Sequence, residues 1–261
     1  MQALSAGHPL ILNGRQLFLI MILYGKNSVA ERIKSNPASI HKIIVKEGFS
    51  DPFIGKLLKK YKIREEHASL KKLNSKKRPK DHQGILAEVA EFEYTDINKI
   101  LSVPDEDKPS LIFIDRINDP QNLGGIIRIL ACFGRFALVI PKYKSCLVND
   151  TVVHVACGAE NYVPVCLVSN IPNTIIKARK SGYWIVGSSV ESDSEDIRKT
   201  ELSFPVGLVL GSEAKGIRYG ITKQLDKQIT IPMSGEPLSF NVAMATAIFC
   251  YEISRQREVL R

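Results

Sequence analysis

The sequence predicts an α/β protein: a C-terminal domain on a parallel sheet, preceded by a smaller α/β unit. Three observations carry this. Short aliphatic runs over 111–115, 136–140, 163–168, 183–188, 206–210 and 228–231 alternate with helical segments over 124–133, 149–156, 172–181, 221–227 and 240–257. Each run is continuously apolar, the pattern of strands covered on both faces of a parallel sheet. A polar, acidic stretch over 96–108, containing Pro104 and followed by Pro109, separates this region from the N-terminal part and reads as a linker. The expected organisation is an extension over 1–20, a first domain over 21–95, the linker over 96–108 and a second domain over 109–261. No internal repeat is present.

The first domain is justified element by element. SVAERIK (28–34) has helical spacing and is ended by Asn36-Pro37. IHKIIVK (40–46) reads as a strand. The segment 51–62 is an amphipathic helix, with Phe53, Ile54, Leu57, Leu58 and Tyr61 on one face and lysines on the other. A short strand over 63–65, a short helix over 69–73 and a strand over 84–89 complete it. The run KKLNSKKRPKDH (71–82) is dense in Lys and Arg and broken by a proline, a loop suited to phosphate contacts that give affinity without sequence choice. The apolar run over 17–23 is far short of the ~20 residues that span a bilayer, and no small-residue cleavage site follows it. Neither a signal peptide nor a membrane anchor is expected, and the extension is assigned no function.

A formal charge of +9 favours a polyanionic partner, nucleic acid above all, although a solvated basic surface gives the same total. The five cysteines, at 132, 146, 157, 166 and 250, form no C-x-x-C pair. Neither a zinc site nor a disulfide framework is suggested, and the cysteines read as reduced core thiols of a cytoplasmic protein.

The chemistry is expected in three loops at strand ends, where ligands of parallel sheets bind. The first reads RINDPQNLGGIIR (116–128). Here Asp119-Pro120 forms a turn, Asn122 caps the following helix, and Gly124-Gly125 allows close approach at its start. Arg128 then falls one turn into the helix, near the positive end of its dipole. The second loop, LGSEAKG (210–216), lacks the G-x-x-x-x-G-K-[ST] spacing, and no G-x-G-x-x-G follows a strand, so neither a P-loop ATPase nor a dinucleotide enzyme is supported. The third, 232–241, sets Ser239 and Asn241 at the start of a long small-residue helix. The G-x-S-x-G of a serine hydrolase is absent.

Together the three loops resemble the signature motifs of the SpoU (TrmH-like) family of RNA ribose 2′-O-methyltransferases, within the SPOUT superfamily. The first motif matches through Asp119, Pro120, Asn122, Gly124 and Arg128. The second matches through Gly211, Glu213 and Gly216. The third matches through Pro232, Met233, Gly235, Ser239, Asn241 and Val242. Each motif alone is weak; three in order form a specific signal. The first domain, through LYGKNSVAERI and HQGILAEV, is similar to the family's RNA-binding unit, of ribosomal-protein type. The combination is most similar to the branch that methylates a guanosine ribose of large-subunit ribosomal RNA. Phe240 departs from the pattern, standing where members usually carry leucine.

The resemblance implies a deep trefoil knot in the C-terminal domain and S-adenosyl-L-methionine as cofactor. It implies cofactor contacts from Gly211, Ile231, Met233 and Phe240, mainly through main-chain groups. Catalytic roles fall to Arg128, Asn122, Glu213, Ser239 and Asn241. Arg128 would stabilise developing alkoxide and hold a neighbouring phosphate, Asn122, Ser239 and Asn241 would position the nucleotide or order the loops, and Glu213 would be a base or an arginine's ion-pair partner. It further implies a homodimer and an RNA substrate, with no metal and no membrane. Transfer RNA is the alternative substrate, and a non-catalytic RNA-binding or ribosome-assembly protein is the alternative from another class.

Overall fold

The computed structural model describes residues 10–12, 15–17, 20–76, 82–191, 194–211, 216–235 and 239–259. The chain forms two compact units: one of residues 1–93 with 148–161, the other of 94–147 with 162–261.

In the first unit, β1 (Leu10–Leu12) and β2 (Arg15–Leu17) pair as a short antiparallel ribbon within the expected extension. A four-stranded sheet follows, from β3 (Ile20–Tyr24), β4 (Ile40–Lys46), β5 (Glu65–Ala68) and β6 (Ile85–Ala90), in the order β3-β6-β4-β5. Strand alternation gives the sheet two apolar faces. Ile43, Val45, Ile85 and Ala87 pack with α1 (Lys26–Ser35) and α2 (Pro52–Tyr61) on one side. Ile44 and Leu86 meet Leu73 of α3 (Leu70–Lys76) on the other. Asp51 starts α2 by accepting from the amides of Phe53 (3.1 Å) and Ile54 (3.2 Å), while Pro52 takes the first helical position, where its missing N–H leaves no bond unmade.

The segment 148–161, expected as part of the second domain, packs inside this first unit. Its helix α6 (Asp150–Ala156) is capped by Asn149. Asp150 Oδ1 accepts from the Ile22 amide at 3.1 Å, and the His154 ring stacks on Tyr24 at 3.9 Å between centroids. Glu160, buried, pairs with buried Arg32 at 3.2 Å. Burial pushes the Glu160 carboxyl above its usual range against the pull of that guanidinium.

The second unit holds a seven-stranded sheet in which every pairing is parallel. Its strands are β7 (Ser110–Ile114), β8 (Phe136–Pro141), β9 (Val165–Val168), β10 (Trp184–Ser188), β11 (Glu195–Asp196), β12 (Val206–Leu210) and β13 (Lys227–Thr230). Their order is β11-β13-β10-β12-β7-β8-β9. Leu111, Phe113, Val139 and Ile185 point to one face, under α4 (Ile97–Leu101), α7 (Ile171–Lys180) and α8 (Tyr219–Thr222). Over the opposite face α5 (Pro120–Phe133) packs on β8 and along α9 (Val242–Val259).

Several local expectations need correcting. The stretch 96–108 is folded into the second unit: Ile100 and Leu101 are buried in its core, and Lys108 Nζ bonds Asp105 and the Ser181 carbonyl, both at 2.6 Å. The helix expected over 221–227 is confined to α8, because Lys227–Thr230 joins the sheet as β13. Of the five cysteines only Cys166 and Cys250 are buried; Cys132 is exposed on α5, so the description as core thiols fails for it.

Candidate active site

The first loop is built differently from its sequence reading. Asp119, not Asn122, caps α5, accepting from the Gln121 amide at 2.9 Å, with Pro120 at the first helical position. The helix therefore starts four residues before Gly124. Gly124 and Gly125 lie inside it, where a Cβ on Gly125 would meet the Ala243 Cβ of α9 at 3.5 Å. Both glycines therefore lie within the helix and not at its start, with Gly125 facing Ala243 of α9 at ordinary contact distance. Arg128 is then the ninth residue of α5, more than two turns in, and the end of the helix dipole no longer accounts for its placement. Its side chain is exposed, one turn beyond Gly125.

Asn122 and Asn241 come together where α5 packs along α9. Asn241 Nδ2 donates to Asn122 Oδ1 at 2.9 Å, and Asn241 Oδ1 accepts from the Ala243 amide at 2.8 Å, which makes Asn241 the cap of α9. The expectation that this helix opens at 240 is corrected by two residues, since its first helical residue is Val242. Ser239 lies before the cap, exposed.

A cavity of about 360 Å³ opens where β10, β12 and β13 end and α9 begins. Gly211, Ile231, Met233 and Phe240 all line it, as does Ser239. Three separate stretches of sequence thus converge on one concave space, of the size that small-molecule sites occupy, about 300–1,000 Å³. Gly211 is required sterically: a Cβ there would lie 2.2 Å from the Gly216 carbonyl carbon and 2.4 Å from the Ile217 nitrogen. The chain passes directly across Gly211, leaving backbone at the cavity wall. Glu213 lies outside the described residues, as do residues 77–81 of the basic loop.

Some residues at the site had no sequence signal. Ser188, Ser189, Glu191 and Phe249 also line the cavity. Asp115, fully buried at the end of β7, accepts two bonds from Arg218, Nε to Oδ2 at 2.7 Å and Nη2 to Oδ1 at 2.6 Å. This carboxylate holds the Arg218 guanidinium above its ordinary range. Asp115 could have been noticed as a charge closing the apolar run LIFI; its partner is 103 residues away. Among the described residues no group of His, Cys, Asp and Glu is placed to hold a metal ion, and no helix is long and apolar enough to cross a membrane.

Comparison with known proteins agrees with this architecture. The SpoU rRNA Methylase family model matches residues 109–251, and a second model, RNA 2′-O ribose methyltransferase substrate binding, matches 22–95. A putative TrmH family tRNA/rRNA methyltransferase of Bacillus subtilis is 33% identical over 239 residues, 89% of this chain and 94% of that protein. The 23S rRNA (guanosine-2′-O-)-methyltransferase RlmB of Coxiella burnetii is 35% identical over 244 residues, covering 92% of this chain and 97% of the relative. The crystal structure of the SpoU methyltransferase AviRb from Streptomyces viridochromogenes with AdoMet superposes with a TM-score of 0.76 at 21% identity, over 92% of this chain and 91% of that one, a likeness of fold. With matches of this extent over both units, the chain belongs to the SpoU rRNA methylase family.

Proposed function

We propose that this protein methylates a ribose 2′-hydroxyl in RNA, a guanosine of 23S ribosomal RNA, with S-adenosyl-L-methionine as methyl donor. One observation carries the reading: Gly211, Ile231, Met233 and Phe240, the residues the family resemblance assigns to the donor, line a single cavity. That cavity fits such a group in its chemistry as well as its size. Backbone is exposed at Gly211, apolar wall comes from Ile231, Phe240 and Phe249, and Ser188, Gln228 and Thr230 add polar groups for orientation. When bound, the cofactor supplies a methyl group on a sulfonium, already activated towards an oxygen nucleophile.

The work left to the protein is alignment and removal of a proton. Arg128 is permanently charged, which suits it to stabilising alkoxide character on the attacking oxygen and to gripping an adjacent phosphate, not to accepting a proton. The proton passes to a phosphate oxygen or to water. Asn122 and Asn241 tie the helix that carries Arg128 to the start of α9, next to the cavity, so that substrate and donor residues share one frame. The resemblance leaves Ser239, which lines the cavity, to orient the nucleotide, and Glu213 to act as a base or as an arginine's ion-pair partner.

The first unit serves as the RNA-binding domain, as its family match and its basic segment 71–82 support. The trefoil knot expected of this family is supported by the match of the SpoU rRNA Methylase family model over 109–251. A homodimer is supported by Met244 and Tyr251, exposed seven residues apart on one side of α9.

The test is a map of ribose methylation on ribosomal and transfer RNA from cells with and without the gene. Loss of one 23S guanosine methyl is expected. Loss confined to transfer RNA, or no loss at all, overturns the reading.

A further inference from the structure

Asp115 is fully buried at the end of β7, where its own amide still donates to the Leu210 carbonyl at 3.0 Å. Its carboxylate accepts from both donors on one edge of the Arg218 guanidinium, Nε and Nη2. The Arg116 Nε, 3.9 Å from Oδ1, is beyond hydrogen-bond distance, so Arg218 supplies the side-chain donors. Each partner stands at a junction. Asp115 is the last residue before the loop that leads to Asn122 and Arg128. Arg218 follows Gly216 and Ile217, which line the cavity, and immediately precedes α8, whose Thr222 lines it too. Gly216 and Ile217 are also the residues that cross Gly211. The pair thus ties the wall of the cavity to the strand end that launches the catalytic helix.

We propose that Asp115 and Arg218 are positioning residues that hold Gly216–Thr222 in the shape the methyl donor requires; this rests on the methyltransferase reading above. A bidentate guanidinium–carboxylate pair fixes orientation as well as distance, which a single-point ammonium does not. A 45% exposed Arg218 side chain adds little hydrophobic burial. Its conservative replacement by lysine therefore leaves the fold in place while removing the directional grip.

The experiment compares wild type with Arg218→Lys, Asp115→Asn and the double variant Asp115→Asn/Arg218→Gln by three measurements. The first is backbone hydrogen exchange over 216–222 without any ligand. The second is the Kd for S-adenosyl-L-methionine by calorimetry, and the third is thermal unfolding. Arg218→Lys is expected to unfold near the wild-type temperature, to exchange faster over 216–222, and to bind the donor about tenfold more weakly, roughly 1.4 kcal/mol. The double variant is expected to bind no worse than Asp115→Asn alone, the mark of two residues acting as one. Unchanged exchange over 216–222 in folded Arg218→Lys, or unchanged donor affinity beside a wild type that binds, overturns the proposal. A wild type that binds no donor removes the methyltransferase reading and this donor role with it. In that event the exchange result still decides whether the pair holds the segment.

Discussion

Asn241 Nδ2 donates to Asn122 Oδ1 at 2.9 Å, and through this one bond the N-terminal turn of α5 is tied to the cap of α9, 119 residues later. The same Asn241 side chain spends its oxygen on the Ala243 amide. Its two ends therefore do separable jobs: the oxygen starts α9, and the nitrogen bonds the first turn of α5.

Replacing Asn241 by aspartate should separate them. Aspartate is as good a cap as asparagine, so the helix start, worth about 1 kcal/mol, is kept. The donor is lost, and a carboxylate now faces the Asn122 oxygen. Thermal stability should fall by no more than a few degrees while methyl transfer falls tenfold or more. Equal activity in Asn241→Asp and wild type would show that the bond does not organise the site.

Gly211→Ala should be far more damaging than a methyl group suggests. The new Cβ would sit 2.2–2.5 Å from three backbone atoms of Gly216 and Ile217, none of which is the end of a flexible side chain. Relief requires the crossing segment to move, and that segment lines the cavity. The expected result is loss of donor binding by calorimetry. Retained affinity would mean that the crossing can shift freely.

Glu66 gives a pH prediction. Its carboxyl is held at about 2, chiefly by its hydrogen bond to Lys42 and then by that to Lys72. A carboxyl depressed on folding stabilises above its ordinary range and loses that contribution as pH falls from about 4.5 towards about 2. Glu66→Gln should therefore lower the urea midpoint of the first unit slightly near neutrality and leave it nearly unchanged at about pH 2, which flattens the decline across that acid window. The exposure of all three side chains keeps the effect small. Parallel profiles for variant and wild type would refute it.

Buried strands were legible in the sequence because a parallel sheet covered on both faces makes each strand a continuous aliphatic run, as in VGLVL and LIFI. The edge strand β11 was not, since its two residues, Glu195 and Asp196, are polar and exist as strand only by pairing with β13. Asn122 reads as a cap because a Gly-Gly pair looks like a helix start, whereas Asp119 and Pro120 already open α5 and leave both glycines inside it. Helix α6 reads correctly as a helix, but its place in the first unit rests on Tyr24 and Ile22, more than a hundred residues earlier. Gly211, Ile231, Met233 and Phe240, which line the cavity, stand out in the sequence because each sits in a short local pattern. Asp115 and Arg218 form no such pattern, and their contact is a product of topology.

Arg128 carries the sharpest prediction about chemistry. It is exposed on α5, so truncation creates no cavity in the core. If its charge stabilises the attacking oxygen, Arg128→Ala should lose about 100-fold or more in the methyl-transfer rate with donor affinity unchanged. Arg128→Lys discriminates further. Lysine keeps the charge as a single point but cannot grip a phosphate and the reacting oxygen together, so partial rescue, above alanine and well below arginine, is expected. Single-turnover transfer to a 23S RNA fragment, at saturating donor, reads the chemical step directly. Full activity in folded Arg128→Ala would remove Arg128 from the mechanism. A rate that rises with pH in wild type and keeps the same profile in the alanine variant would agree with the proton leaving to a group other than the guanidinium.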